Sequence, residues 1–241
     1  MPATEKEENL ISHLEALRSV LIKSLLALAA GFFALFFITP QIIDFLIKTV
    51  LNGAEIKLNF FSPVEVFLLQ IKTALALDIL LCFPYLAWQF WGFILPALYD
   101  NERKFLGRMV FVCAGLFIAG SLFCLFFIAP LIVRFGLSFT TEQIQPVLGI
   151  SNILSLVLWL SLAFGAVFQL PLITYGFIKA GILNYNYIKS KRPYVIVGLL
   201  IVAGLLTPPD IISQVLLALP AYLLFEAGLF LAKPSKKDKT A

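Results

Sequence analysis

The chain has 241 residues, of which 61% are hydrophobic and only 13% charged, with 24 phenylalanines and a mean hydropathy of +0.97. A water-soluble domain of this length carries about 45–50% apolar and about 25% charged residues. The composition therefore excludes a soluble domain and predicts an all-α polytopic membrane protein. The net charge of +4 is modest, and the basic residues fall in the gaps between apolar runs. That pattern indicates loop asymmetry and gives no support to nucleic-acid binding. Cys82, Cys113 and Cys124 all lie within apolar runs without CxxC spacing, so they read as small hydrophobes, and neither a disulfide nor a metal site is expected.

From the N-terminus, an acidic leader with Glu5, Glu7 and Glu8 and no small-residue cleavage site predicts that the first apolar helix is retained. Helix is expected to begin around Ser12, with Glu15 three residues on as a capping box. The first transmembrane helix spans about 17–39. After Pro40, Ile42, Ile43, Leu46, Ile47 and Val50 share one face and Asp44 and Lys48 the other, the pattern of an amphipathic interfacial helix. Ser62, Pro63 and Glu65 then form a helix start: a capping hydroxyl, a proline at the first helical position, and an acid in the first turn. The second transmembrane helix is placed at about 63–85, with Trp88 and Trp91 beyond it marking an interface.

The polar stretch FILPALYDNERK, from Phe93 to Lys104, concentrates Asp100, Glu102, Arg103 and Lys104 and suits the reception of a cationic partner. Uncharged segments place the third helix at about 105–133 and the fourth at about 151–177. Pro193 suits the first turn of a fifth helix at about 194–206, which Thr207, Pro208, Pro209 and Asp210 terminate. It is only about 20 Å long, short of the roughly 30 Å hydrocarbon core, which suggests local thinning of the bilayer or a water-filled dip. A sixth helix at about 211–232 is interrupted by Pro220, and residues 233–241 read as a disordered basic tail. Residues 1–232 thus form a single transmembrane domain. Six spans put both termini on one side, and 14 of the 18 basic residues fall on that side, which by the positive-inside rule is cytoplasmic.

Intramembrane polar groups are the sharpest functional clues, because each is costly unless paired or wet. The second helix holds Glu65, Lys72 and Asp78, either an internal salt network or the lining of a polar cavity. Gln169, in the middle of the fourth helix, either bonds a neighbouring helix or marks a docking site for another transmembrane helix. Glu226 lies toward the cytoplasmic end of the sixth helix, where it can snorkel, and Asp210 suits a cap. His13 is the only histidine, and no catalytic constellation accompanies it, so an enzyme is not expected and no cofactor is implied.

Several segments carry a resemblance: SHLEALRSVL in the leader, SPVEVF at the start of the second helix, FWGFILPALYDNERK, FQLP, KRPYVIVG, and LTPPDIISQVLLALPAYLLFE. Together, and in this order, they look like TatC, the core receptor subunit of the twin-arginine translocase. The resemblance implies a concave six-helix bundle in the bacterial-type inner membrane, both ends cytoplasmic, that binds twin-arginine signal peptides of folded cargo. It also implies TatA- and TatB-type single-span partners, self-association in a receptor complex, and the proton-motive force as energy source. Glu102 matches the family's signal-binding glutamate, with Pro96, Leu98, Tyr99, Arg103 and Phe93 around it. Lys72 and Gln169 match polar positions of the second and fourth helices, Gln169 replacing the more usual glutamate, and Asp210 and Glu226 match acids flanking the sixth. The family leader reads HLxELR and this chain HLEALR, so Arg18 matches, but Ala16 stands where the glutamate is expected. Glu15 lies one residue earlier, about 100° around the helix. Glu15, Glu8 or Asp100 would supply the second carboxylate. A small secondary transporter or ion channel lined by Glu65, Lys72, Asp78 and Gln169 is the competing expectation.

Overall fold

The structure, a computed structural model, describes residues 3–51, 58–94, 103–140, 147–179, 183–206 and 211–233. From Ala3 onward the acidic leader contains no proline or glycine, and α1 runs from Ala3 to Phe36. Helix therefore starts well before Ser12, which lies inside α1 and not at its cap; the strong helix propensity of the leader outweighs the capping signal. Pro40 cannot offer an N–H to the carbonyl of Phe36, and the Thr39 hydroxyl donates to that oxygen instead at 2.6 Å. The chain turns there into α2, Thr39–Leu51. The expected apolar face is inward, with Ile43, Leu46 and Val50 buried and Asp44 and Lys48 exposed. It packs on protein, against Leu69, Ala129, Leu154 and Val157.

Helix α3 spans Pro63–Ile94. Its start is capped as the sequence suggests: the Val64 N–H donates to the Ser62 hydroxyl at 3.3 Å and the Phe61 N–H to the Glu65 carboxylate at 2.9 Å. Pro84 does not end it near Tyr85, because in lipid an interrupted backbone has no water to turn to and no second breaker follows. Helix α4, Arg103–Phe123, continues through a π turn at Cys124–Ile128 into α5, Ala129–Leu137. Pro130 has no N–H to return to the carbonyl of Phe126, and the Ala129 N–H bonds five residues back to Cys124, so the ladder widens for one turn without breaking.

The fourth span is two helices. α6 is Ile150–Val167 and α7 is Leu170–Lys179, separated because Pro171 removes the donor for the Val167 carbonyl. α8, Tyr185–Ser190, is capped by the Asn184 side chain, and Lys191 lies over the rings of Tyr187 and Tyr194 at 5.7 and 4.9 Å. α9 is Arg192–Leu206 and α10 is Ile211–Leu231, with Pro220 inside it. Among the described residues, five stretches are long and apolar enough to cross a membrane, Leu14–Phe36, Pro63–Phe90, Gly107–Leu137, Ile150–Lys179 and Gln214–Leu231, and Arg192–Leu206 is a shorter apolar helix. Of the basic tail, residues 234–241 lie outside the described residues. The chain is an all-helical, multi-pass membrane protein.

α3, α4 and α6 pack on one another at the centre, α1 flanks α3, and α10 lies against both α7 and α9. Small residues allow the close contacts, as expected where lipid gives helices no hydrophobic reason to associate. A Cβ on Gly120 would sit 2.7 Å from the Phe164 carbonyl, and one on Gly165 would sit 2.7 Å from the Ser121 hydroxyl. That hydroxyl donates to the Ser161 carbonyl across the same α4–α6 contact at 3.0 Å. Beside it, Phe83 and Phe117 stack at 3.6 Å. One core cluster gathers Cys124, Leu160, Phe164, Ala203 and Leu217 from the π turn, α6, α9 and α10.

Three contacts hold the last helices. A Cβ on Gly228 would meet the Pro171 Cα at 2.6 Å, so α10 touches the backbone of α7. The Arg192 guanidinium at the start of α9 pairs with the Glu226 carboxylate on α10, which also accepts from the Tyr222 hydroxyl at 2.9 Å. Gln214 adds a bond to the Leu200 carbonyl at 2.8 Å.

Gly228→Ala is expected to lose about 1–3 kcal/mol through overpacking, read as a lower Tm in detergent. Gly115→Ala, where a Cβ meets nothing within 4 Å, leaves the Tm unchanged or raises it. Equal Tm values for the two would show that α10 does not bear on the α7 backbone. Glu226→Leu is expected to cost about 1.5–3 kcal/mol, toward the lower figure because both partners are partly exposed. Adding Arg192→Leu should restore part of the loss, since it removes the stranded charge; a strictly additive double mutant in the same unfolding assay would contradict the pairing.

Candidate functional site

Helices α1 and α3 run antiparallel. The rings of Phe36 and Phe67 lie 6.3 Å apart, Gly31 faces Asp78 and Cys82, and Val20, Leu21 and Ser24 share a cavity with Phe83 and Phe90. Continuing that register carries Glu15 and Arg18, both exposed, toward the end of the bundle where α3 stops at Ile94 and α4 starts at Arg103. Lys179 closes α7 and Arg192 opens α9 at this same basic end.

Of the residues expected to receive a cationic partner, Pro96, Leu98, Tyr99 and Glu102 lie outside the described residues, as does Asp100. Phe93 is half-buried in the last turn of α3, and Arg103 is the first residue of α4. The helices flanking the carboxylate loop are thus described, and the loop itself is not.

Gln169 is buried at the break between α6 and α7. The Gln169 N–H bonds to the Ala166 carbonyl, which frees the Gly165 carbonyl of its usual donor. The Gln169 side-chain amide takes that acceptor at 3.4 Å and the Cys113 carbonyl on α4 at 3.0 Å. Its own carbonyl accepts from the Cys113 thiol at 3.0 Å. A buried amide must place its donors and acceptor somewhere, and here they clamp the α6–α7 break to α4. The residue also lines an open cavity of about 640 Å³ between α1, α3, α4, α6 and α7, otherwise almost wholly apolar, with Phe83, Phe90 and Phe117 on its wall.

The four polar groups of a hypothetical conducting path are not brought together. Glu65 caps α3. The Lys72 ammonium donates to the Ser155 hydroxyl on α6 at 3.2 Å. Asp78 is buried, one oxygen accepting from the Cys82 thiol at 3.2 Å and the other without a partner among the described residues. Gln169 is bound to Cys113. Glu226 does more than snorkel, since it pairs with Arg192, and Asp210 lies outside the described residues. Sequence reasoning missed the roles of Cys113, Arg192, Tyr222 and Gln214. Apolar context hid Cys113, and Arg192 was read as loop charge; the polar residues at helix spacing in YLLFE and SQ were the available signal for the other two.

Comparison with known proteins agrees with this architecture. A family model described as Sec-independent protein translocase protein (TatC) matches residues 12–220. The Sec-independent protein translocase protein TatC of Carboxydothermus hydrogenoformans is 36% identical over 95% of this chain and 94% of its own length. That of Aquifex aeolicus is 35% identical over 99% and 98%. A crystal structure of a twin-arginine translocase receptor, TatC, in DDM superposes with a TM-score of 0.85 at 35% identity, covering 92% of this chain and all of that one. With a matching family model and such relatives over nearly its whole length, the chain belongs to the TatC family of Sec-independent protein translocase proteins.

Proposed function

We propose that this chain is the signal-peptide receptor of a twin-arginine translocase, moving folded proteins across the cytoplasmic (inner) membrane. The observation that carries the proposal is its likeness, at 35% identity and a TM-score of 0.85, to a solved translocase receptor. Residues 1–232 form its transmembrane domain and 233–241 a basic tail, with both termini cytoplasmic by the excess of Lys and Arg at that end.

Two guanidiniums call for two carboxylates, or for one bidentate carboxylate with polar support, in an interfacial cleft where charge-assisted bonds keep their strength. Glu102 supplies the first, set between Phe93, Pro96, Leu98 and Tyr99 before it and Arg103 after it. Glu15, exposed on α1 three residues before Arg18, supplies the second in place of Ala16. The antiparallel α1–α3 register supports this pairing by carrying Glu15 toward the end of α3. TatA- and TatB-type single-span helices dock on the membrane-facing side, with Gln169, Lys72, Glu65, Asp210 and Glu226 as the polar positions around which they pack. The receptor self-associates, and the proton-motive force drives transport.

In membranes containing the chain, a photo-cross-linker at Tyr99 is expected to capture a twin-arginine peptide and to capture its twin-lysine counterpart weakly, because lysine keeps the charge and loses the fork. Glu102→Gln should lower capture at least about tenfold, the scale of one lost charge-assisted bond, while membrane insertion persists. Capture undiminished by Glu102→Gln would remove this carboxylate from the site.

A further inference from the structure

A second cavity, also of about 640 Å³, opens between α4, α7 and α10. Its wall is apolar, with Met109, Val112, Leu116, Leu224 and Ala227 prominent, and Arg108 is its single charged residue. A further, more open hollow of about 500 Å³ shares Arg108 and Val112 with it and is lined by Gly107, Arg108, Phe111 and Val112 of α4. Arg108 therefore lines both hollows.

Arg108 is exposed, and among the described residues the ion pair present is that of Arg192 with Glu226, so no described carboxylate neutralises it. It lies five residues, about 7 Å, into α4 from Arg103, a depth suited to the boundary between headgroups and acyl chains. On α10 the lining residues Leu224, Ala227 and Leu231 lie in the last two turns before Lys233, and on α7 they run from Pro171 in the first turn to Tyr175, one turn short of Lys179. The groove thus extends toward the basic end of the bundle, where Arg108 lies. Basic pockets between transmembrane helices on that side are suited to anionic headgroups, and arginine matches a phosphate with a bidentate fork. A docked helix would fill one broad groove about 10 Å across and would leave the guanidinium without an anion.

We propose that these two hollows and Arg108 form a binding site for one anionic phospholipid from the leaflet at the basic end. The phosphate takes the Arg108 guanidinium, one acyl chain lies in the α4–α7–α10 groove, and the other lies in the Gly107–Val112 hollow. The site goes beyond the receptor function and involves neither Glu102 nor cargo.

The test is native mass spectrometry of the full chain in detergent with equal amounts of chain-matched phosphatidylglycerol and phosphatidylcholine. Wild type is expected to retain phosphatidylglycerol preferentially. Arg108→Gln should cut that preference about fivefold, the worth of one interfacial basic residue, by lowering retention of phosphatidylglycerol more than that of phosphatidylcholine, whose choline cation offsets its phosphate. Ala227→Phe should lower retention of both lipids by filling the groove. Equal preference in wild type and Arg108→Gln overturns the site. The wild type provides a test independent of any variant: raising salt to about 1 M, where charges are screened within about 3 Å, should narrow the preference, and a salt-independent preference overturns the headgroup assignment. In membranes, a photo-cross-linking side chain at Val112 should yield a phospholipid adduct; an adduct with a protein chain means a partner helix occupies the groove, and the lipid site falls.

Discussion

The close approach of α4 to α6 is the contact on which the rest of the structure depends. Lipid tails are as apolar as leucine, so helices gain little by merely hiding apolar surface and must fit or bond to stay together. Gly120 and Gly165 let the two backbones meet, and the Ser121 hydroxyl and the Gln169 amide bond across the gap. Because Gln169 sits where α6 gives way to α7, the same contact sets the direction in which α7 leaves. α10 then rests through Gly228 on the backbone of α7, and α9 is tied to α10 by Arg192 and Glu226. Position is transmitted helix by helix from one glycine-lined interface to the basic end of the bundle.

Prolines shape this chain by how each freed carbonyl is dealt with. At Pro40 the Thr39 hydroxyl substitutes for the missing donor and a turn forms. At Pro130 the ladder shifts to five-residue bonds for one turn and the helix survives. At Pro171 the helix divides, and the glutamine two residues before it bridges the break to its neighbour. Pro84 and Pro220 are carried inside continuous helices. The same residue type thus produces a corner, a widening or a break, or is carried within a continuous helix.

This explains what was readable from the residues and what was not. The number of apolar segments, the amphipathic face of α2 and the Ser62–Glu65 start of α3 follow from composition and local pattern, and the structure carries all three. Helix ends at Ala3 and Ile94 did not follow: in the leader, helix propensity outweighs the capping box, and continuation of α3 through Pro84 depends on the absence of water, which no local motif encodes. The carboxylate loop with Glu102 was identified by a run of charge and by family resemblance, and lies outside the described residues. The partners of Gln169 and Glu226 were hidden because Cys113 and Arg192 are distant in sequence, and helix rotation alone decides whether such side chains meet.

Helix α1 shows what these principles mean for assembly. Its transmembrane stretch, Leu14–Phe36, has none of its most apolar window buried within the chain, and it leans mainly on α3. During synthesis it enters the bilayer before α3 exists, and lipid alone must stabilise it until Gly31 can meet Asp78. Its outer surface then stays in contact with lipid at almost no energetic penalty. Any neighbour that replaces that lipid competes through shape and polar fit, so recruitment to this flank is governed by specificity and remains readily reversible.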